Sequence, residues 1–369
     1  MRLAVLMVTI LIAGASGTGC GPAGRAGNLW SELVYYPDRQ STPRAVVYGH
    51  LGGLLPRFDA TPLLARFLYG PSDYGHTLLR NPQGMALLED RLLVCDQGWP
   101  DVVSIHLPSG RSEPWCDAGH PPRCPVDVEA DADGRVYVAD TTLRSILVYD
   151  SEGRFLEALA PAAAVAPFFR PASLFVRGSR LYVGNLDERR VEQFDLSSRQ
   201  WMEPLKATGV QPSLVAPTGL CATPEGILLV ADALAGVVFR FDEDGRPLSP
   251  IGQPGRGSGE FVRPKQVACT PGGLVLVADA GRQSVLAFDA AGRHLFEIHE
   301  SPGSWTGWTL PMGLLIIDPA RLPTFSGRLD EAGLPPPDAY VIVSDSLGGA
   351  PLTLLGIKER PAGGLAGAY

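Results

Sequence analysis

A short apolar motif recurs along the chain at a nearly constant interval, and this constrains the fold more than any other feature. The segments GRVYVAD (134–140), GILLVAD (226–232) and GLVLVAD (273–279) are near copies. Weaker versions are RLLVCD (91–96), RLYVGN (180–185) and AYVIVSD (339–345). Each follows a proline that heads another apolar stretch, at Pro82, Pro125, Pro171, Pro217, Pro264 and Pro311, so the unit repeats every 43 to 47 positions. A third stretch ends in a turn, as in ILVYDSEGR (146–154), VEQFDLSSR (191–199), VVFRFDEDGR (237–246) and SVLAFDAAGR (284–293), and a fourth follows. Self-similarity at this period marks an array of supersecondary units, none of which can bury its apolar surface alone.

The apolar runs are short, rich in β-branched residues and bounded by Gly or Pro, which excludes helical repeats and gives four antiparallel strands per unit. With 43 Gly and 34 Pro among 369 residues, the chain has the turn chemistry that so many short strands need. In ILLVA and LVLVA both alternating faces are apolar, so this strand must be covered on both sides. Sheets packed face to face around an axis provide that cover. The expected fold is therefore all-β: a six-bladed β-propeller of four-stranded antiparallel blades.

The combined pattern resembles the NHL repeat of six-bladed β-propellers: P-x-G, then G-x-hydrophobic-Y-V-A-D, then V-x-V-F-D-x-x-G-R, with the linker GQPGRGSGEFVRP (252–264). Departures are Asn185 for the third aspartate, Cys95 and Ser344 for alanine, and a Pro-rich insertion from Asp318 to Asp338. Blade six lacks a fourth strand, and RAVVYGHL (44–51) has the length and alternation to supply it, closing the last blade with an N-terminal strand. The whole chain resembles bacterial NHL-type propeller lipoproteins.

Met1-Arg2, the apolar run from Leu3 to Ala13 and a small-residue exit describe a secretory signal peptide over 1–19. Cys20, after Thr18-Gly19, resembles a lipobox cysteine, which would anchor the mature chain to a membrane through lipid. Ala13-Gly14-Ala15 offers a competing cut that would release a secreted protein. The expected organisation is a lipid-attached tether over 20–43, the propeller over 44–358 and a disordered tail over 359–369, exported to the periplasm or cell surface. Cys116 and Cys124, across WCDAGHPPRC, are the pair that spacing recommends as a disulfide in an oxidising compartment.

Chemistry is sparse. None of the six histidines falls in a stretch that follows a repeat proline, so a zinc lyase site of converging histidines is not expected. Asp127, Glu129 and Asp318 are candidate calcium ligands of a lactonase-like axis, but in differing registers. The repeated aspartates Asp96, Asp140, Asp232, Asp279 and Asp345 read as strand-end hydrogen-bond acceptors. The net charge of -8 argues against nucleic acid as a partner. Loops expected at one end of the ring nevertheless carry Arg170, Arg263 and Lys265, together with Arg144, Arg189, Arg190, Arg282 and Trp99. That basic, partly aromatic face suits an acidic peptide, glycan or protein partner. The leading expectation is a non-enzymatic envelope protein that binds or scaffolds, without cofactor or metal. The alternative is a metal-dependent lyase or lactonase-like hydrolase acting at the central channel.

Overall fold

The computed structural model describes residues 79–357, except 108–110, 165, 208, 210–211, 300–307, 322–336 and 348–350, and the backbone of strands Val34–Tyr36 and Ala45–His50. The signal peptide, Cys20, most of the tether, the tail, Trp305 and most of the insertion lie outside the described residues.

Six antiparallel sheets form the structure. Their innermost strands are Pro82–Leu88, Pro125–Ala130, Pro171–Arg177, Pro217–Ala222, Pro264–Cys269 and Pro311–Ile317. Each pairs with the motif strand that follows it. Each inner strand also touches those of both neighbouring blades, the sixth touches the first, and the ring is a closed six-bladed propeller. In blade six, Ala45–His50 runs antiparallel to Leu352–Ile357, with Ala45 opposite Ile357.

The two apolar faces of each motif strand now have destinations. In blade four, Leu228 and Val230 enter the apolar seam with blade three, while Leu229 and Ala231 enter the seam with blade five. One such cluster fills each of the six junctions, including the one between blades six and one. Trp308 is buried in the seam of blades five and six and donates Nε1–H to Thr353 Oγ1 at 3.2 Å.

The repeated aspartates are structural knots. Asp232 is fully buried and accepts from the backbone N–H of Val215 and Ala216 in the loop entering the blade. It also accepts from Leu234 and Ala235 in the turn after its own strand. Asp96, Asp140 and Asp279 do the same with four N–H groups each. In these four blades one carboxylate therefore ties both kinds of loop at one end, and that end is made rigid.

Asn185 breaks this pattern for a physical reason. Its Oδ1 accepts from the Arg170 and Asp187 N–H groups as an aspartate would, while its amide donates to Glu192 Oε1 at 2.9 Å. Glu192 is 2% exposed, so a second carboxylate at 185 would face a buried one.

Candidate functional site at the axial channel

Each inner strand begins with an irregularity. Pro264 pairs with Asp279 and Gln266 with Ala278, leaving Lys265 as an unpaired bulge residue. The same shift isolates Val126, Ala172, Thr218 and Met312, and in blade one the step spans Gln83 and Gly84. A bulge turns a side chain out of the pleat, and bulges concentrate beside functional sites. Ala172, Thr218, Lys265 and Met312 are partly exposed between buried neighbours, so on these innermost strands they border the axis, while Val126 packs against the seam of blades two and three. Gln83 is buried, its Nε2 donating to Asn81 Oδ1 and Ser346 Oγ. Lys265 is the one charged member of this ring.

A residue further along, glycines of one blade face the side chains of the next. A Cβ at Gly84 would lie 1.9 Å from Asp127 Oδ1, and one at Gly219 would lie 2.3 Å from Gln266 Oε1. Asp127 of blade two thus lies against blade one, and its Oδ2 accepts from Leu174 N–H of blade three at 2.8 Å. It bridges both neighbours while only 4% exposed. Burial raises its carboxyl to about 7, against the lowering effect of the Leu174 and Val128 N–H groups.

Glu129 lies two residues deeper on the same strand. Burial, and then the charge of Asp127, push its carboxyl well above the usual range. Its charge also bears on the Cys221 thiol of blade four, which packs in the seam with blade five. Cys221 in turn faces Cys269 of blade five. Blade two therefore carries the two raised carboxyls on its inner strand, and blade five, opposite it in the ring, carries Lys265. Burial, and then the Arg263 guanidinium, hold the Lys265 ammonium below the ordinary lysine value.

The expected basic face is largely neutralised from within. Arg144 and Arg170 share one carboxylate, Asp187, at 2.5 and 2.8 Å. Arg190 meets Glu192 at 2.8 Å, and Arg282 grips Glu297 through both Nε and Nη2 at 3.0 and 2.6 Å. Trp99 is covered by Arg80, whose Cζ sits 3.9 Å from the ring centroid. Arg144 and Arg189 occupy the left-handed turn position, with φ of 56° and 53°, that Gly236 fills in blade four. The partners Asp187 and Glu297 carry no signal in the repeat, which is why sequence reasoning missed them.

The Cys116–Cys124 bridge is not formed, and all five cysteines of the described residues are reduced. Cys116 is turned into the seam of blades one and two, beside Asp101 and Tyr149, and burial raises its thiol. Cys124 is held at the neighbouring knot, its N–H on Asp140 Oδ2 at 2.9 Å. Among the described residues no group of three or more His, Cys, Asp or Glu side chains is arranged to hold a metal ion. Asp127 and Glu129 are near enough for the charge of Asp127 to raise the Glu129 carboxyl.

No protein-family profile and no curated protein matches this chain. Many solved structures share its fold. A gluconolactonase from Xanthomonas campestris superposes with a TM-score of 0.54 at 16% identity, covering 76% of this chain and 88% of that one. A second structure described as a putative gluconolactonase gives 0.55 at 13% identity, covering 76% and 91%. A streptogramin B lyase gives 0.52 at 12% identity, covering 77% and 96%. At such identities the likeness establishes the six-bladed propeller.

Proposed function

We propose that this propeller is an enzyme of the lactonase or lyase type, acting at its axial channel with Asp127 and Glu129 as an acid–base pair. The observation that carries the reading is this pair of carboxyl groups on one inner strand, both raised by burial and the deeper one raised further by its neighbour. Two carboxyls driven apart in protonation supply an acid and a base together. Glu129, protonated, donates to the oxygen released when a cyclic ester opens. Asp127, with its carboxyl near 7, is poised to take a proton from water, as a lactonase requires, or from carbon beside the carbonyl, as a lyase requires. The Leu174 and Val128 N–H groups fix its orientation. The gluconolactonase and lyase functions of similarly folded propellers support this alternative over a purely structural role.

Purified protein is to be assayed with a panel of γ- and δ-lactones, following both ring hydrolysis and elimination. The expected result is turnover that Glu129→Gln lowers by roughly 10²–10⁴-fold without loss of folding. No turnover of any ring, or full activity in the variant, refutes the reading. Export, lipidation of Cys20 and membership of the NHL-type lipoproteins complete the proposal. Labelling with a palmitate analogue tests the anchor, and an unlabelled mature chain lacking Cys20 removes it.

A further inference from the structure

We propose that the mouth of the axial channel is a carboxylate-binding subsite formed by Lys265 and Arg263, so that the substrate is an organic anion. As a statement about substrate, this rests on the channel reading above; as a statement about binding, it stands apart from it. Of the seven basic residues grouped by sequence, Arg144, Arg170, Arg190 and Arg282 have carboxylate partners. Lys265 and Arg263 have no ion-pair or side-chain hydrogen-bond partner among the described residues. They are separated by a single proline on the entry to blade five, and the Arg263 guanidinium disfavours the charge of Lys265.

The contrast lies within one blade. Blade five provides Glu297 for Arg282, in a two-point grip, and provides no counter-charge for Arg263 or Lys265 among the described residues. Asp279 does not serve, because both of its oxygens are taken by the backbone N–H groups of Val262, Arg263, Gly281 and Arg282. The rest of the ring is apolar or neutral: Ala172, Thr218 and Met312. A half-buried ammonium beside a guanidinium is costly until an anion arrives, and that anion then binds in a medium that screens it poorly. Two donors on one side of a narrow ring suit the planar carboxylate of a small molecule better than a phosphate dianion, which needs more donors. A carboxylate held there would leave the rest of the molecule extending inward toward Asp127 and Glu129.

The test is titration calorimetry with glutarate, and with neutral 1,5-pentanediol as control, on the full-length protein and four variants. Lys265→Gln and Arg263→Gln are each expected to weaken glutarate at least tenfold. Arg189→Gln, which removes an exposed cation elsewhere on the face, is expected to leave binding unchanged. Thermal melting of each variant confirms its folding, and Lys265→Arg provides a second substitution that keeps the charge and part of the affinity. Absence of glutarate binding, or equal binding by the parent and both charge-removing variants, overturns the subsite. Capture of a polyglutamate peptide without glutarate binding also overturns it, assigning the cations to a macromolecular face. Lactone turnover without glutarate binding refutes the subsite alone. Glutarate binding that depends on Lys265, in a protein without turnover, refutes the enzymatic reading alone.

Discussion

Replacing Asn185 with aspartate would restore the residue that the repeat carries in the other five blades, and the structure implies that it would destabilise the protein. Asn185 Nδ2 donates to Glu192 Oε1 at 2.9 Å and to the Phe168 carbonyl at 3.2 Å. Asn185→Asp removes both donations and sets two carboxylates face to face, at positions 0% and 2% exposed. Two like charges about 3 Å apart repel by roughly 5–6 kcal/mol at an effective dielectric constant of 20. Separation of the side chains, and Arg190 at 2.8 Å from Glu192, would offset part of this. The net loss is expected to be about 3 kcal/mol. Urea unfolding at pH 7.5 measures it, and Glu192→Gln in the Asn185→Asp background is expected to recover most of it, because the glutamine amide can donate to the new carboxylate. An Asn185→Asp variant as stable as the parent, or one that gains nothing from Glu192→Gln, would refute the account of why blade three departs from the repeat.

Two further outcomes are expected. Deleting residues 44–51 removes the strand paired with Leu352–Ile357 and should lower the melting temperature by roughly 5–10 °C, as read by circular dichroism; an unchanged midpoint would show that this strand does not close the ring. Asp127 has a carboxyl at about 7 in the folded protein, against an ordinary value near 3.9 when unfolded, so the folded state binds its proton more tightly. Its contribution to stability is therefore full below the unfolded value and is lost as pH rises toward 7, by about 2 kcal/mol between pH 5 and 7. Glu129 acts in the same direction. Urea midpoints across this range should fall less steeply in Asp127→Asn than in the parent, and parallel slopes would contradict the buried carboxyl.

What the sequence makes legible here is whatever the repeat enforces in every blade. A strand that must be covered on both faces writes two interleaved apolar sets, as in Leu228–Asp232, and a knot needed once per blade writes an aspartate at a constant register. The site is not repeated, and so it has no such signature. Lys265 occupies the same bulge as Val126, Ala172 and Met312, and nothing in the local sequence distinguishes a position that borders the axis from an exposed entry loop. Neutralisation is even less local: Arg144 and Arg170, 26 positions apart, share Asp187, whereas Arg263 and Lys265 stand beside one another and share nothing. The disulfide expectation failed for a related reason, since eight positions of spacing say nothing of Cys116 facing a seam while Cys124 is tied to a knot. Departures from the repeat are then the places to look for function, once those with a structural cause are set aside. Asn185 has such a cause in Glu192. Glu129 and Lys265 have none in the seams or the knots, whereas Asp127 also ties blade two to blade three through the Leu174 N–H.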